Sequence, residues 1–515
     1  MGWRRYATGD FDVPFEPVNP NSAATTNLLR LILVLLIAAA YGQCLRYPFV
    51  YDDKRGIEAD PSISHAQTVA QAAYVLLEPW RPATRFSYAL THALFGFSRP
   101  AFHLTNIIVH SINTLLVFEI ALLLARRWTP CLDAVYFGFA AAAIHAVHPL
   151  YTEAVTYISG RSSSLCGLFY FASLFFMIRG LDDRNMARRT AWFCGAGAAG
   201  IGAWAAKEEA ITLPFVVAVL LLLYGYRKAA IGLTMLPIAV VIARRHELAS
   251  LFRVTAANQT FVNVGLGSPI QAWSFMLSEI KAAVFYYLSH FILPLTQSID
   301  PYFRPVLSIF EPIFLIAAVV IAALAAAAWH FRQKQPLVTF SIAALLVSPL
   351  LAYAVIPLPD VVAEHRVYIS GLGIDLLFAW IVTRSERLMW PLLICLTISL
   401  SAATVMRNSV WKTEVKLWQN AEANSPNLVR PHLNLGVALE LDGQDERAVL
   451  EYRQALAIQP KLPIAYSNLA TIYLKQGRVD EAKLLLQRAI ELSDTGRYRD
   501  EMQNRLADLS GIRGR

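Results

Sequence analysis

The residues best equipped for chemistry begin with an adjacent carboxylate pair, Asp52 and Asp53, in the stretch Phe49-Val-Tyr-Asp-Asp53. Two carboxylates side by side raise each other's pKa unless a cation meets one of them. A carboxylate tuned in this way can take the proton of a hydroxyl as general base; the plainer reading is a solvated loop with a helix cap. Cations recur in short clusters further on: Arg81 and Arg85 in Pro79-Trp-Arg-Pro-Ala-Thr-Arg85, Arg161 after Gly160, Lys207 in Lys207-Glu208-Glu209, and Arg366 in Glu364-His365-Arg366, with Tyr368 close behind. Arginine binds a phosphate through a planar fork and lysine as a point charge. With the acid pair, these groups make either a phosphate clamp beside a base or an ion-pair network among themselves.

Other polar groups have a pattern but a less specific one. His103, Asn106 and His110 fall at i, i+3 and i+7, on one helix face. On a membrane helix such a stripe serves a site or bonds between helices. His145-Ala-Val-His148-Pro-Leu-Tyr-Thr-Glu153 brings two histidines near an acid. The spacing is not H-E-x-x-H and Pro149 breaks the helix, so a polar turn fits better than zinc, and no metal site is expected. Gly195-Ala-Gly-Ala-Ala-Gly200 has the spacing of a dinucleotide loop without a strand before it; small residues at a close helix crossing explain it. Asn258-Gln-Thr260 matches the short glycosylation sequon. The five cysteines (Cys44, Cys131, Cys166, Cys194, Cys395) form no C-x-x-C pair and sit mostly in apolar runs, which points to packing.

The elements that must position these groups follow from composition. Of 515 residues 56% are hydrophobic and 16% charged, with a mean hydropathy of +0.44, against about 45–50% and about 25% in ordinary soluble proteins. A disordered chain, a collagen-like fibre and a small disulfide scaffold are excluded. Residues 407–515 hold 16 basic and 14 acidic side chains, whereas residues 1–406 hold only 29 and 23. The chain therefore reads as a membrane body with a soluble tail. The net charge of +8 contains no dense basic run suited to nucleic acid.

Membrane spans of about 20 apolar residues are expected near 28–45, 104–125, 134–150, 156–178, 190–206, 209–225, 228–243, 308–330, 337–356, 367–383 and 388–406. Arg4, Arg5 and Arg30 with Ala38-Ala39-Ala40 resemble a cleaved signal, but the first helix of a multispanning chain reads as a retained anchor. With the N-terminus in the cytoplasm, Arg126-Arg127, Arg179 to Arg189, Arg227-Lys228, Arg332 with Lys334, and Arg384 with Arg387 all fall inside, as the positive-inside rule wants; Arg244-Arg245 violates it. Eleven spans leave the tail outside. Stretch 272–294, with Glu279 and Lys281, would reverse that if it crossed. On the eleven-span topology Asp52, Asp53, Arg81, Arg85, His103, His148, Glu153, Lys207, Glu208, Asp300, Glu364, His365 and Arg366 gather on the external face, where ionisable groups are functional candidates.

The tail repeats with a period of 34. Asn434/Asn468, Leu435/Leu469, Gly443/Gly477, Ala448/Ala482, Ala455/Ala489 and Pro426/Pro460 are each 34 apart, the tetratricopeptide pattern. Full repeats cover about 429–462 and 463–496, after a second-helix segment at 411–428 and before a capping helix at 498–509. The expected domains are a cytoplasmic segment 1–27, a transmembrane domain 28–406 with an external loop 46–103, and the repeat domain 407–515. The fold class is all-α: a polytopic bundle with an α-solenoid, whose concave face binds peptide.

This combination resembles the transmembrane and tetratricopeptide-repeat O-mannosyltransferase family, of the GT-C glycosyltransferase superfamily. The resemblance rests on Phe49-Val-Tyr-Asp-Asp53, Trp80-Arg-Pro82, Phe102-His-Leu-Thr-Asn106 through His110, His145 through Val155 with Gly160-Arg161, Lys207-Glu-Glu-Ala-Ile211, Ala363-Glu-His-Arg-Val-Tyr368 and the repeats, in that order. It implies a GT-C bundle, a polyprenyl-phosphate-linked sugar donor, a protein hydroxyl acceptor and an acidic base in the first external loop. Carried onto this chain, Asp52 or Asp53 is the base, and Arg366, Lys207, Arg81 and Arg161 hold the donor phosphate. His103, Asn106, His148, Glu153, Glu208, Asp300, Glu364 and Tyr368 shape the sugar and acceptor pocket. No cofactor is called for. The 35 arginines against 10 lysines fit a bacterial homologue in the inner membrane, with site and repeats outside. A short repeat array and a small loop at 244–271 depart from the family and leave sugar and acceptor open. The rival readings are a membrane scaffold recruiting envelope proteins, a GT-C enzyme acting on a lipid or polysaccharide, and a transporter. The last is disfavoured because the charges crowd one face rather than lining a midplane path.

Overall fold

The computed structural model describes residues 20–130, 132–243, 272–355, 360–493 and 496–509, and among these no strand occurs. Arg244-Arg245, the sequon at Asn258 and Cys131 lie outside the described residues. The bundle consists of α1 (Pro20–Tyr41), the loop helix α2 (Pro82–Phe95), α3 (Arg99–Trp128), α4 (Ala134–Val147), α5 (Arg161–Asp182), α6 (Met186–Ala206), α7 (Leu213–Leu223), α8 (Arg227–Ala243), α9 (Ala272–Ala282), α10 (Pro312–Phe331), α11 (Pro336–Val355), α12 (Gly371–Val382) and α13 (Glu386–Val410). Every stretch expected to span coincides with one of these helices.

Five of them are long and apolar enough to cross a bilayer alone: α1, α3, α5, α10 and α13. α4 and the segment Pro149–Val155 are long and apolar enough together for a sixth, as a broken span or a re-entrant loop, bent by 53° at the His148–Pro149 break. Eleven full-length crossings are therefore not present among the described residues. The physical reason lies in polar turns: Lys207–Glu209 separates α6 from α7, Tyr224–Gly225 cuts α7 to 11 residues, and Glu364–Val367 precedes an α12 of only 12. The uncertain stretch 272–294 is helical, with α9 running through a π-turn (Ala283–Leu288) to Ile292, and Glu279 is buried inside it.

Water does not drive helices together in lipid, so small residues and close packing must. Ala140 to Ala143 of α4 are fully buried against α3, among Phe118, Phe137 and Leu124. The Gly195–Gly200 run lies within α6 where it packs along α5, with the Phe176 ring against Gly195. Exposed Leu31, Leu35, Leu315, Ile316, Val319, Ile394 and Ile398 on α1, α10 and α13 form the apolar exterior that a lipid phase requires. The polar loops sort into two groups. At one end Arg127 meets Asp182 and the Tyr224 ring, and a cavity of about 390 Å³ joins Asp133 and Tyr136 to Arg384 and Glu386. The acid pair and its neighbours meet at the other.

The tail continues as α14 (Glu414–Asn424), α15 (Val429–Leu441), α16 (Asp445–Ile458), α17 (Pro463–Lys475), α18 (Val479–Leu492) and α19 (Arg497–Leu509), each packed on the next. Gly443 and Gly477 take φ of 76° and 75° directly after α15 and α17, the left-handed C-terminal turn that glycine adopts without strain. Tyr452, Leu469, Leu486 and the alanines 421, 448 and 482 fill the core at the helix crossings.

Candidate active site

The structure separates the two carboxylates of the acid pair. Asp53 is buried: its Oδ1 accepts from Ser159 N–H (2.8 Å) and Ser159 hydroxyl (2.5 Å), and its Oδ2 from Val50 N–H (3.1 Å). Burial pushes its pKa up to about 7 against the pull of these bonds. Asp53 thus staples the loop to the turn before α5. Asp52 is exposed to solvent, and the Tyr157 side chain lies close enough to favour its charged form. Desolvation by the surrounding protein raises its pKa, Asp360 raises it further, and Arg430 and Arg55 oppose the rise. Of the pair, only Asp52 is open to solvent.

Each of the four predicted phosphate ligands is engaged by protein. Arg161 is fully buried without a carboxylate partner. Its Nε donates to Asn106 Oδ1 (2.6 Å), one terminal nitrogen to Phe102 C=O (2.9 Å), and the other to Ser87 C=O (3.1 Å) and Thr91 hydroxyl (3.2 Å), while Tyr88 lies 4.6 Å below its plane. It is a tie between the external loop and the bundle, closed to a ligand, which removes it from the clamp. Arg81, at a left-handed φ of 45°, forks onto Glu208 (Nε to Oε2, 2.9 Å; second bond 2.5 Å). Lys207 is buried between Ser163 Oγ (2.8 Å) and Glu209 (3.4 Å), and burial lowers its pKa. Arg366 reaches Glu279 (3.5 Å) and the carbonyls of Val361 (3.2 Å) and Asp360 (2.8 Å).

The pocket candidates divide. Glu153 grips His365 through Nδ1 (2.6 Å) and backbone N–H (3.2 Å). The His365 pKa is lowered by burial first, with the positive charges of Lys207 and Arg366 adding to that and Glu153 opposing it, so these four share one electrostatic neighbourhood. Glu364, next in sequence, is buried and accepts from Ser298 N–H (3.0 Å), Gln297 Nε2 (3.0 Å) and Arg407 (3.3 Å). Asp300 does not line this neighbourhood: Arg430 of the tail forks onto it. His103 bonds Tyr47 C=O (3.2 Å), and Asn106 donates to Val155 C=O (3.0 Å). His148 uses both ring nitrogens, on Phe291 C=O (3.1 Å) and Leu150 N–H (3.2 Å). Tyr368 lies deep in the bundle on His110 (2.7 Å) and Asn113 (3.0 Å). These four are packing and positioning groups. Among the described residues no three His, Cys, Asp or Glu side chains are grouped to hold a metal.

Sequence reasoning missed the residues that join these parts. Asp360 accepts from Arg430 (2.6 Å) through its carboxylate and from Arg366 through its carbonyl, so it stands between the acid loop and the cations. Glu414 accepts from Tyr51 N–H (3.0 Å) and Lys54 Nζ (2.6 Å). Asp375 pairs with His145 (2.8 Å) and Tyr151 (3.0 Å) inside the bundle. An acid in an apolar run was a signal for Asp375; Asp360 and Glu414 stood in ordinary polar surroundings and gave none.

The chain is similar to several known proteins. A TPR repeat model matches residues 441–477 and a tetratricopeptide repeat model residues 463–495. Protein O-mannosyl-transferase F38B6.6 of Caenorhabditis elegans is 24% identical over 84% of this chain and 62% of its own length. Human protein O-mannosyl-transferase TMTC3 is 23% identical over 89% of this chain and 54% of its own. The mouse TMTC2 protein is 31% identical over 37% of this chain and 24% of its own. The chain thus spans 62% or less of these relatives. The crystal structure of ArnT from Cupriavidus metallidurans bound to undecaprenyl phosphate superposes with a TM-score of 0.41 at 17% identity, over 92% of this chain and 81% of that one.

Proposed function

We propose that this chain, whose resemblance to the transmembrane and tetratricopeptide-repeat O-mannosyltransferases those relatives bear out, is a membrane glycosyltransferase. It moves a sugar from a polyprenyl-phosphate donor to a Ser or Thr hydroxyl of a protein on the external face of a bacterial inner membrane. The observation that carries the reading is Asp52: an exposed carboxylate with a raised pKa, at the meeting of membrane body and repeat tail. Asp52 removes the hydroxyl proton, the oxygen attacks the anomeric carbon, and the carbon–oxygen bond to phosphate breaks as the lipid monophosphate leaves. Lys207 and Arg366, near His365, are the cations that would turn toward the charge developing on that phosphate; Arg81, partly exposed with Glu208, borders them. The repeats hold the acceptor chain.

The full pairing of these cations with Glu208, Glu209 and Glu279 gives the scaffold reading its one specific support. Purified protein in lipid nanodiscs, supplied with a panel of polyprenyl-phosphate sugars and external proteins, separates the two. An enzyme releases lipid phosphate and adds sugar mass to an acceptor; absence of both across the panel overturns the reading.

A further inference from the structure

We infer that Glu414, in the first turn of the tail, is a positioning residue for the base. The inference rests on Asp52 being that base. Tyr51, directly before it, has a φ of 51°, a left-handed conformation that a bulky residue holds only when its surroundings impose it. Its torsions set where the Asp52 carboxylate points. The surroundings that impose it come from the tail. One carboxylate oxygen of Glu414 accepts the Tyr51 N–H at 3.0 Å, and the other accepts Lys54 Nζ at 2.6 Å, so Glu414 closes around the turn from both sides. The Tyr51 ring meets Trp418 edge-on at 5.0 Å, and Trp411 stacks at 5.0 Å on Tyr157, whose side chain neighbours Asp52.

Glu414 is not occupied in capping its own helix, because Thr413 Oγ1 already accepts from Lys416 N–H at 3.1 Å. From below, Asp53 pins the same turn to Ser159. The base loop is thus fixed on one side by the membrane body and on the other by the repeat tail, and Glu414 is the tail's direct hold on its backbone.

Three variants of the full chain in nanodiscs test this: Glu414→Ala removes both bonds, Glu414→Gln keeps an acceptor for Tyr51 N–H, and Lys54→Ala removes only the ion pair. Hydrogen exchange of the 47–60 segment reads the hold without any substrate. Exchange is expected to accelerate at least about tenfold in Glu414→Ala, the scale of a hydrogen bond to a charged acceptor, and to stay near wild type in the other two. In the transfer assay Glu414→Ala is expected to lose roughly ten- to hundredfold in kcat at unchanged KM for donor and acceptor, with Glu414→Gln recovering most of it. Unchanged exchange in Glu414→Ala, or changed exchange with unchanged kcat, overturns the inference. A Glu414→Gln as impaired as Glu414→Ala overturns it too. A wild-type protein that transfers nothing sinks the enzymatic reading instead, and a positioning role falls with it, whatever the exchange data say of the hold.

Discussion

Asp52→Asn removes a proton acceptor from a side chain that packs little, so function and fold should part company there. Transfer is expected to fall by about 10²- to 10⁴-fold, the usual worth of a positioned base, while stability moves by no more than about 0.5 kcal/mol; lipid-phosphate release and thermal unfolding check the two halves. Because the Asp52 pKa lies above its ordinary value of 3.8, the acidic limb of the kcat/KM profile should turn above that value and vanish in the variant. Asp53 predicts the opposite behaviour. Asp53→Ala strands three donors, at Val50 and Ser159, and should destabilise by roughly 3 kcal/mol. Its folded pKa of about 7 exceeds the ordinary 3.8, so the native state binds the proton more tightly than the unfolded chain. Stability should therefore fall as pH rises from about 4 to 7 and level off above. Melting curves across that window, flattened in Asp53→Asn, test the sign. The sequence marked the pair as special, but which acid faces water depends on the amide N–H and hydroxyl brought by Ser159, 106 positions away.

Arg161 and Gly160 show what the turn before α5 demands. A Cβ on Gly160 would lie 1.9 Å from the Glu153 carbonyl oxygen, a contact that only backbone movement can relieve. Arg161→Lys keeps the charge yet loses the fork that satisfies Asn106, Phe102 and Ser87. It should cost at least about 3 kcal/mol, because a buried charge then lacks partners. The expected readout is a lower melting temperature and less folded protein, with donor KM unchanged in what survives. At this scale helices were legible, since a run of apolar residues must satisfy its own backbone in lipid. Full span lengths were not, because the apolar runs at 209–225 and 367–383 yield helices of only 11 and 12 residues, their ends taken up by the turns at Glu208–Thr212 and Tyr224–Gly225 and by the bend before Gly371. The polar stripe of His103, Asn106 and His110 was equally visible, and its partners Tyr47, Val155 and Tyr368 decide that it bonds between helices.

Across the whole molecule the tail is attached at more than its covalent link. Arg430 on α15 spans Asp300 and Asp360, Ser425 accepts from Tyr302 N–H (2.8 Å) and donates to Asp300 C=O (2.8 Å), and Glu414 holds Tyr51. Arg430→Ala should loosen this seam: exchange protection of residues 298–302 should drop while that of α16 to α18, which is internal to the repeats, stays. Loss of protection throughout the repeats would instead mean that Arg430 serves the solenoid itself. The two parts were legible from charge density and the period of 34, since both are properties of local sequence. The seam was not, because Asp300, Asp360, Glu414 and Arg430 each look like ordinary surface charges until the chain folds back. That return has a cost in time. Tyr51 and Glu414 are 363 residues apart, and at roughly 5–20 residues per second a ribosome needs on the order of twenty to seventy seconds to get from one to the other. Throughout that interval the acidic loop is already made but its outer support does not exist. If Asp52 is the base and Glu414 its support, as proposed, transfer can begin only once the segment from Glu414 onward has been made and has come to rest against the loop.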